Sequence, residues 1–317
     1  MPIIRVAAIV VTHRGGELLR DCIASLRAQT RPVDELLVVV SNGALPVDAP
    51  ALQLGANVGY AQAANAGVRA TTGEVLLLND DTRLAPDCVA RLVDTWSVPG
   101  VYQPRIRLAD GSGRLDNVGL GFLPDGSVWA RGRNGPDREI HDVPGGFSGA
   151  AVLIARSWWE ALGGFDERFG SFGEDVDLAL RLHRRGAPFF VVPDAVVDHH
   201  LGASWGRVSA EKIRRIEHNR VRAAVRSMPA SAVAALPFTT AARYLLFAGL
   251  GVTGRGPGHD VPAGARLAAM EGLLRGLADS PQWFADRRRD APDWTRGELA
   301  MLRLLWQGRA WWEDIVR

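Results

Sequence analysis

The stretch "EVLLLNDDTRLAPD", Glu74–Asp87, decides how the whole chain is read. Val75–Leu78 is a short unbroken apolar run, the habit of a strand buried on both faces of a parallel sheet. It runs straight into Asn79, Asp80, Asp81 and Thr82. Adjacent carboxylates at the end of a buried strand repel each other unless a cation or a donor offsets their charge. Two readings are open. Either Asp80 begins a turn and Asp81 caps the following helix, or the pair holds a hard divalent cation. Mg²⁺ and Mn²⁺ favour one or two carboxylates completed by phosphate oxygens.

The same grammar extends in both directions. Val6–Val11 is a β-branched run, and "GELLRDCIASLRAQT" after it places Leu18, Leu19, Cys22, Ile23 and Leu26 at helical spacing. "DELLVVVSNG" predicts a second buried strand, and "NVGYAQAANAGVRATTG" a short Ala-rich helix ending near Gly73. "PDCVARLVDTW" predicts another helix. Strand and helix in alternation imply an α/β domain with a mostly parallel central sheet, Rossmann-like and flanked by helices. Residues 100–147 break the pattern with turn-dense, Gly- and Asp-rich sequence, and are expected as irregular strands and loops over the sheet. Regular structure returns in "GAAVLIARSWWEALGGF", in the helix of "GEDVDLALRLHRRG" and in a strand ending near Pro193, followed by an edge-like piece leading to His199 and His200.

From about Ser209 the pattern is helical only, which divides the chain into a catalytic unit, residues 1–215, and a helical extension, residues 216–317. "GLGVTG" (Gly249, Gly251, Gly254) fits a dinucleotide-binding pattern, but no clear strand precedes it and "RGPGHDVP" breaks the helix that should follow. A loop between two helices is expected there.

With 317 residues, 47% hydrophobic and 23% charged, the chain can bury a substantial core. The net charge is +2, and the basic side chains are arginine except for Lys212. No nucleic-acid partner is expected. Cys22 and Cys88 lack the spacing of a zinc site or a disulfide framework. The N-terminal apolar run is too short for a signal peptide, and no segment has 18 consecutive apolar residues, so a cytoplasmic protein without a membrane span is expected.

In an open parallel sheet, ligands bind beyond the carboxyl ends of the strands. That makes Thr12, His13 and Arg14, then Ser41 and Asn42, then Asn79–Thr82, candidates for one cleft, although polar strand ends are also ordinary turns. A second acidic group, Glu174, Asp175 and Asp177, opens a helix, where carboxylates also favour the helix dipole. One of them beside a cleft could serve as a general base. Adjacent Glu174 and Asp175 cannot flank a sugar as glycosidase carboxylates do, so transfer is favoured over hydrolysis. His199 or His200 is an ordinary packed histidine, or the imidazole that completes a metal shell.

Together, "VVTHRGGELLRDCIASLRAQT", "NVGYAQAANAGVRATTGEVLLLNDDTRL", "GGFSGAAVLIARSWWEALGGFDERFGSFGEDVDLALRLHRRG", "VPDAVVDHH" and "EHNRVRAAVRSMP" resemble family 2 glycosyltransferases of the GT-A fold, in the branch of bacterial rhamnosyl- and galactofuranosyltransferases. The resemblance spans about Val6 to Pro229 and implies an inverting, metal-dependent enzyme. It implies Asp81 as principal metal ligand with His199, and Asp80 and Asn79 beside sugar and ribose. Asp175 is implied as the base, with Glu174 as second choice. Thr12, Arg14, Ser41, Asn57 and Asn65 are implied to line the nucleotide pocket, with Asn42 next to Ser41. Implied partners are a nucleotide-diphosphate sugar donor and a saccharide or lipid-linked acceptor of cell-envelope or polysaccharide biosynthesis. Two departures stand out: Ser41 replaces the Asp that usually reads the base, and Asn79 replaces the first Asp of the Asp-x-Asp motif.

Beyond residue 229, helices rich in Trp and Arg suit either an anionic membrane surface or packing on the domain or a second subunit. Other functions remain in view. A small-molecule acceptor and a non-catalytic sugar-nucleotide-binding module are two. A nucleotidyltransferase would want a lysine-bearing glycine loop that "THRGGELL" lacks.

Overall fold

The computed structural model describes residues 4–13, 15–43, 45, 47–137, 140, 143–201, 209–252, 263–310 and 315. Strands β1 (Val6–Thr12), β2 (Glu35–Val40), β3 (Ala51–Gln53), β4 (Glu74–Asn79) and β5 (Thr82–Leu84) alternate with helices α1 (Glu17–Arg27) and α2 (Tyr60–Arg69), and α3 (Cys88–Thr95) follows. Next come β6 (Val101–Leu108), β7 (Leu115–Asn117), β8 (Leu120–Phe122), β9 (Val128–Ala130) and β10 (Ala151–Ile154). Helices α4 (Arg156–Ala161) and α5 (Glu174–Arg184) precede β11 (Phe189–His199). The chain then runs through α6 (Ala210–Ser227), α7 (Ala230–Val252), α8 (Ala263–Ala278), α9 (Ser280–Asp290) and α10 (Glu298–Gln307).

The central sheet has the order β3-β2-β1-β4-β10-β6-β11-β5, with β7 beside β6. Strands β3, β2, β1 and β4 are mutually parallel, and β10 enters antiparallel to both β4 and β6. Because side chains alternate along β1, Val6, Ala8 and Val10 pack on one side with α1 and α3, while Ala7, Ile9 and Val11 pack on the other with α2 and α5. Helix α2 lies so close to the sheet that a Cβ on Gly67 would come 2.5 Å from Ile9 Cγ2. A third core joins α5 to α6 and the later helices through Leu180, Val221, Val225, Leu236, Trp283 and Met301.

Three sequence expectations change. Val101–Leu108 is not a loop over the sheet but β6, one of its inner strands, paired with β10 and β11. Glycines and arginines around it hid a strand whose first four residues are buried. Asp81 does not cap the next helix, because β5 intervenes and pairs with β11. Gly249 and Gly251 lie inside α7 rather than in a loop, and Gly254 falls outside the described residues. Helix α7 is long and apolar enough, by length and composition alone, to cross a membrane.

His183 ties α5 to the layer beneath it. Its ring is stacked on Phe189 with centroids 3.9 Å apart, Nε2 bonds the Gly145 carbonyl at 2.8 Å, and Nδ1 faces Arg296 at 3.2 Å. Burial pushes its pKa down to about 3, so the neutral ring is the folded form. A depressed pKa contributes stability that is complete above 6.5 and lost as pH falls toward 3. Urea unfolding should therefore show the native state losing about 3 kcal/mol from this group between pH 6.5 and 4. A His183→Gln variant should be weaker at pH 7 yet lose less on acidification; equal losses in both proteins would remove His183 as the source.

Candidate active site

The carboxyl ends of β1, β2 and β4 open onto a cavity of about 610 Å³, walled on its far side by the β8–β9 hairpin, α6 and α7. Ser41, Asn57, Asn79, Asp80, Asp81, Glu174, Asp175 and His199, separated by up to 158 positions in the chain, all line it.

At the β4 end, Thr12 Oγ1 donates to Asp80 Oδ2 and accepts from Gly15 N–H at 2.9 Å, so Thr12 acts through Asp80 rather than lining the cavity. Burial, reinforced by Asp81, raises Asp80 to about 6. Asp81 is buried, and its Oδ1 has no hydrogen-bond partner although His199 Nε2 is 3.3 Å away. His199 reaches this place because β5 and β11 pair Thr82 with His199. Behind it, Nδ1 bonds Asp116 Oδ2 at 2.7 Å, and Arg133 meets the other Asp116 oxygen at 2.9 Å. Burial alone would lower His199, but Asp116 and Asp81 outweigh it and raise it to about 9. A carboxylate behind an imidazole fixes its orientation and strengthens it as a ligand. Asp116 was not singled out in the sequence: it sits in the turn-dense segment and meets His199 only through β7, β6 and β11.

A bare carboxylate oxygen, a second carboxylate and an oriented imidazole fit a hard divalent cation. Among the described residues, no group of three or more His, Cys, Asp or Glu side chains is arranged to hold a metal ion by itself.

Across the cavity, Gly173 with φ of 91° turns the chain into α5. Asp175 Oδ1 accepts from Val176 N–H at 2.8 Å and Oδ2 from Gly149 N–H at 3.3 Å. Burial raises the pKa of Asp175 against those donors; burial and then Asp175 raise Glu174 well above the usual range. Glu174 Oε2 is buried without a partner. Both carboxyls are raised by burial, and Asp175 raises Glu174 further, so of the two Glu174 is the one more disposed to keep a proton. Asp177 belongs elsewhere: fully buried, it bonds Arg181 at 2.7 Å and approaches Arg226.

The loop before α5 is held by Asn219 of α6, whose amide donates to Phe172 O at 2.6 Å and Phe169 O at 3.0 Å. Phe172 itself has φ of 71°, strained for a residue with a side chain. Asn219→Ala should release this loop and lower kcat about 10- to 100-fold through misplaced carboxylates. The donor Kd should change less than threefold. An unchanged kcat would show that the loop holds its shape without the amide.

The remaining candidates are scattered. Asn57 is exposed at the cavity edge and its Oδ1 accepts from Gly59 N–H at 3.2 Å. Asn42 is exposed and does not line the cavity. Asn65, expected in the nucleotide pocket, is instead consumed by internal bonds: Nδ2 donates to Phe165 O at 2.8 Å and Oδ1 accepts from Phe165 N–H at 3.0 Å. Helix α2 carries it toward the turn before α5, away from the strand ends. Arg14 lies outside the described residues. The cavity also uses Tyr60, Trp129, Arg133, Phe172, Lys212 and Phe247, none of them expected from a strand-end rule.

Residues 74–252 match the family described as glycosyl transferase family group 2. An N-acetylglucosaminyl-diphospho-decaprenol L-rhamnosyltransferase of Mycobacterium tuberculosis is 32% identical over 246 residues, covering 65% of this chain and 79% of that protein. The O-antigen biosynthesis protein RfbC of Myxococcus xanthus is 31% identical over 227 residues, covering 63% of this chain and 18% of that one. In fold, the chain resembles the mannosyltransferase PcManGT of Pyrobaculum calidifontis, solved with GDP-Man and Mn²⁺, with a TM-score of 0.52 and 19% identity over 95% of this chain and 87% of that one.

Proposed function

The chain belongs to glycosyl transferase family group 2, and from that premise we propose an inverting, metal-dependent transfer of sugar from a nucleoside-diphosphate donor. The acceptor in this reading is a saccharide or lipid-linked saccharide of cell-envelope or polysaccharide biosynthesis. The enzyme is a glycosyltransferase of the GT-A fold; the finer reading rests on one observation, that Asp81–His199 and Glu174–Asp175 line one cavity.

In this mechanism Asp81 and His199 would hold Mg²⁺ or Mn²⁺, and Asp80 and Asn79 would lie beside the sugar and ribose. When bound, the cation would supply Lewis-acid stabilisation of the departing diphosphate. Ser41 and Asn57 line the nucleotide side. Asp175 takes the proton of the acceptor hydroxyl as its oxygen bonds to the anomeric carbon. The bond from that carbon to the diphosphate oxygen breaks, and the diphosphate leaves with the electron pair. Attack from the face opposite the leaving group inverts the centre. Glu174, raised by burial and by Asp175, is disposed to stay neutral and so to keep a second negative charge away from the base.

Purified full-length chain should release nucleoside diphosphate only when Mn²⁺, a matching donor and an acceptor are all present. Rhamnosyl donors with a lipid-diphosphate N-acetylglucosamine are the first pair to try, given the relative from M. tuberculosis. No acceptor-dependent release across a broad donor panel would overturn the reading.

Peripheral membrane contact belongs to the same proposal. Phe238, Leu245 and Val252 of α7 and Leu267, Met270, Leu274 and Leu277 of α8 are exposed. The opposite side of α7 is docked on the domain through Arg243, paired with Asp125 at 2.6 Å and Glu217 at 2.8 Å. Exposed apolar side chains along each of these helices suit contact with a membrane surface. Wild-type chain should co-sediment with vesicles rich in phosphatidylglycerol, and Phe238→Glu/Leu245→Glu should stay in the supernatant. Equal sedimentation of both would exclude α7 as the contact.

A further inference from the structure

Lys212 is the chain's only lysine, and the roles assigned above leave it unused. It sits in the first turn of α6 and lines the cavity together with His199, Leu201, Phe172 and Arg133. Its ammonium lies 5.5 Å from the centre of the Phe172 ring. Among the described residues no carboxylate pairs with it, and the sequence from Leu201 to Ser209 before it contains no Asp or Glu. The charged group that acts on it is another cation, Arg133, which is paired with Asp116. Burial and then Arg133 lower the Lys212 pKa, so the folded chain holds this charge at a cost. A half-buried cation beside a second cation, both facing an open cavity, is relieved by an anion that bridges them. Carboxylates dominate the strand-end side, so an incoming anion is drawn to the α6 side.

We propose that Lys212, with Arg133 beside it, is a diphosphate-binding residue of the cavity. This rests on the glycosyltransferase reading and deepens it. The chemistry has two sources: the diphosphate of the nucleotide donor, or that of a lipid-linked acceptor entering past Phe172, Ile216 and Phe247. Lysine grips phosphate as a mobile point charge, which suits a group that must bind and then leave.

Binding tests the idea without turnover. Full-length wild type, Lys212→Ala and Lys212→Arg are titrated calorimetrically with UDP, dTDP and GDP in Mn²⁺, and separately with geranyl diphosphate. Uridine and thymidine serve as uncharged controls, and melting temperatures verify folding. Lys212→Ala should weaken one diphosphate class about tenfold or more, the worth of a charge-assisted hydrogen bond. Lys212→Arg should restore most of the loss, and nucleoside binding should not change. A loss confined to the nucleotides assigns the donor; a loss confined to geranyl diphosphate assigns the acceptor. As an independent readout, the same diphosphate should protect the Lys212 peptide from acetic anhydride, measured by mass spectrometry. Dissociation constants within twofold of wild type for both classes would overturn the proposal, as would a wild type that binds neither. Failure of sugar transfer with Lys212-dependent binding intact would instead count against the proposed function alone.

Discussion

Asp175→Asn is expected to lower kcat by about 10³-fold or more, the upper range of what a positioned general base contributes. The substitution keeps shape and volume, and the amide oxygen can still accept from Val176 N–H while only the longer bond from Gly149 is lost, so the donor Kd should stay within about twofold. Glu174→Gln should cost much less, because in this reading Glu174 carries its proton already. The pH profile follows from the same geometry. Burial raises Asp175 above the ordinary carboxylate range, so kcat/KM of the wild type should fall as acidification protonates it, at a pH above that of an exposed aspartate. Acceptor-dependent release of nucleoside diphosphate measures all of this. Turnover in Asp175→Asn near the wild-type level would sink the base assignment, and a larger loss in Glu174→Gln would exchange the two roles.

Asp81→Ala should abolish the gain in donor affinity that Mn²⁺ confers, read by titration with a nucleoside diphosphate in the presence and absence of the metal. A drop of about 100-fold in the presence of Mn²⁺ is the expected scale, since removal of a supporting group alone typically costs 10- to 100-fold. Asp116→Asn should fall in that lower range, through loss of the carboxylate that orients His199. The metal's own affinity should rise with pH below about 9, because the raised pKa of His199 means the cation must displace a proton to reach the ring. Equal donor affinity with and without Mn²⁺ in the wild type would remove the metal from the mechanism.

Much of this site was legible in one dimension. An apolar run ending in "NDD" announces a strand end, and "GED" after a glycine-rich turn announces a helix start with carboxylates. Both depend only on local periodicity and on where polar residues interrupt it. Asn65 shows the limit: its neighbours "NAGVR" fit the family pattern, yet the rotation of α2 turns its amide to Phe165. Asp116 shows the converse, a residue with no local signal that the β6–β7 pairing brings to His199.

The sequence by itself determined the alternating α/β core, the two acidic groups, the histidine at the end of β11 and the single lysine. These follow from side-chain periodicity and from the cost of burying charge, which are properties of neighbouring residues. Only the tertiary structure decided which oxygen of Asp81 lacks a partner, that Glu174 Oε2 is buried without one, and that Lys212 and Arg133 line the same cavity. Those outcomes depend on strand register and helix rotation summed over a sheet of mixed direction. A one-residue shift in the β5–β11 pairing would turn His199 to the other face and leave Asp81 without its neighbour.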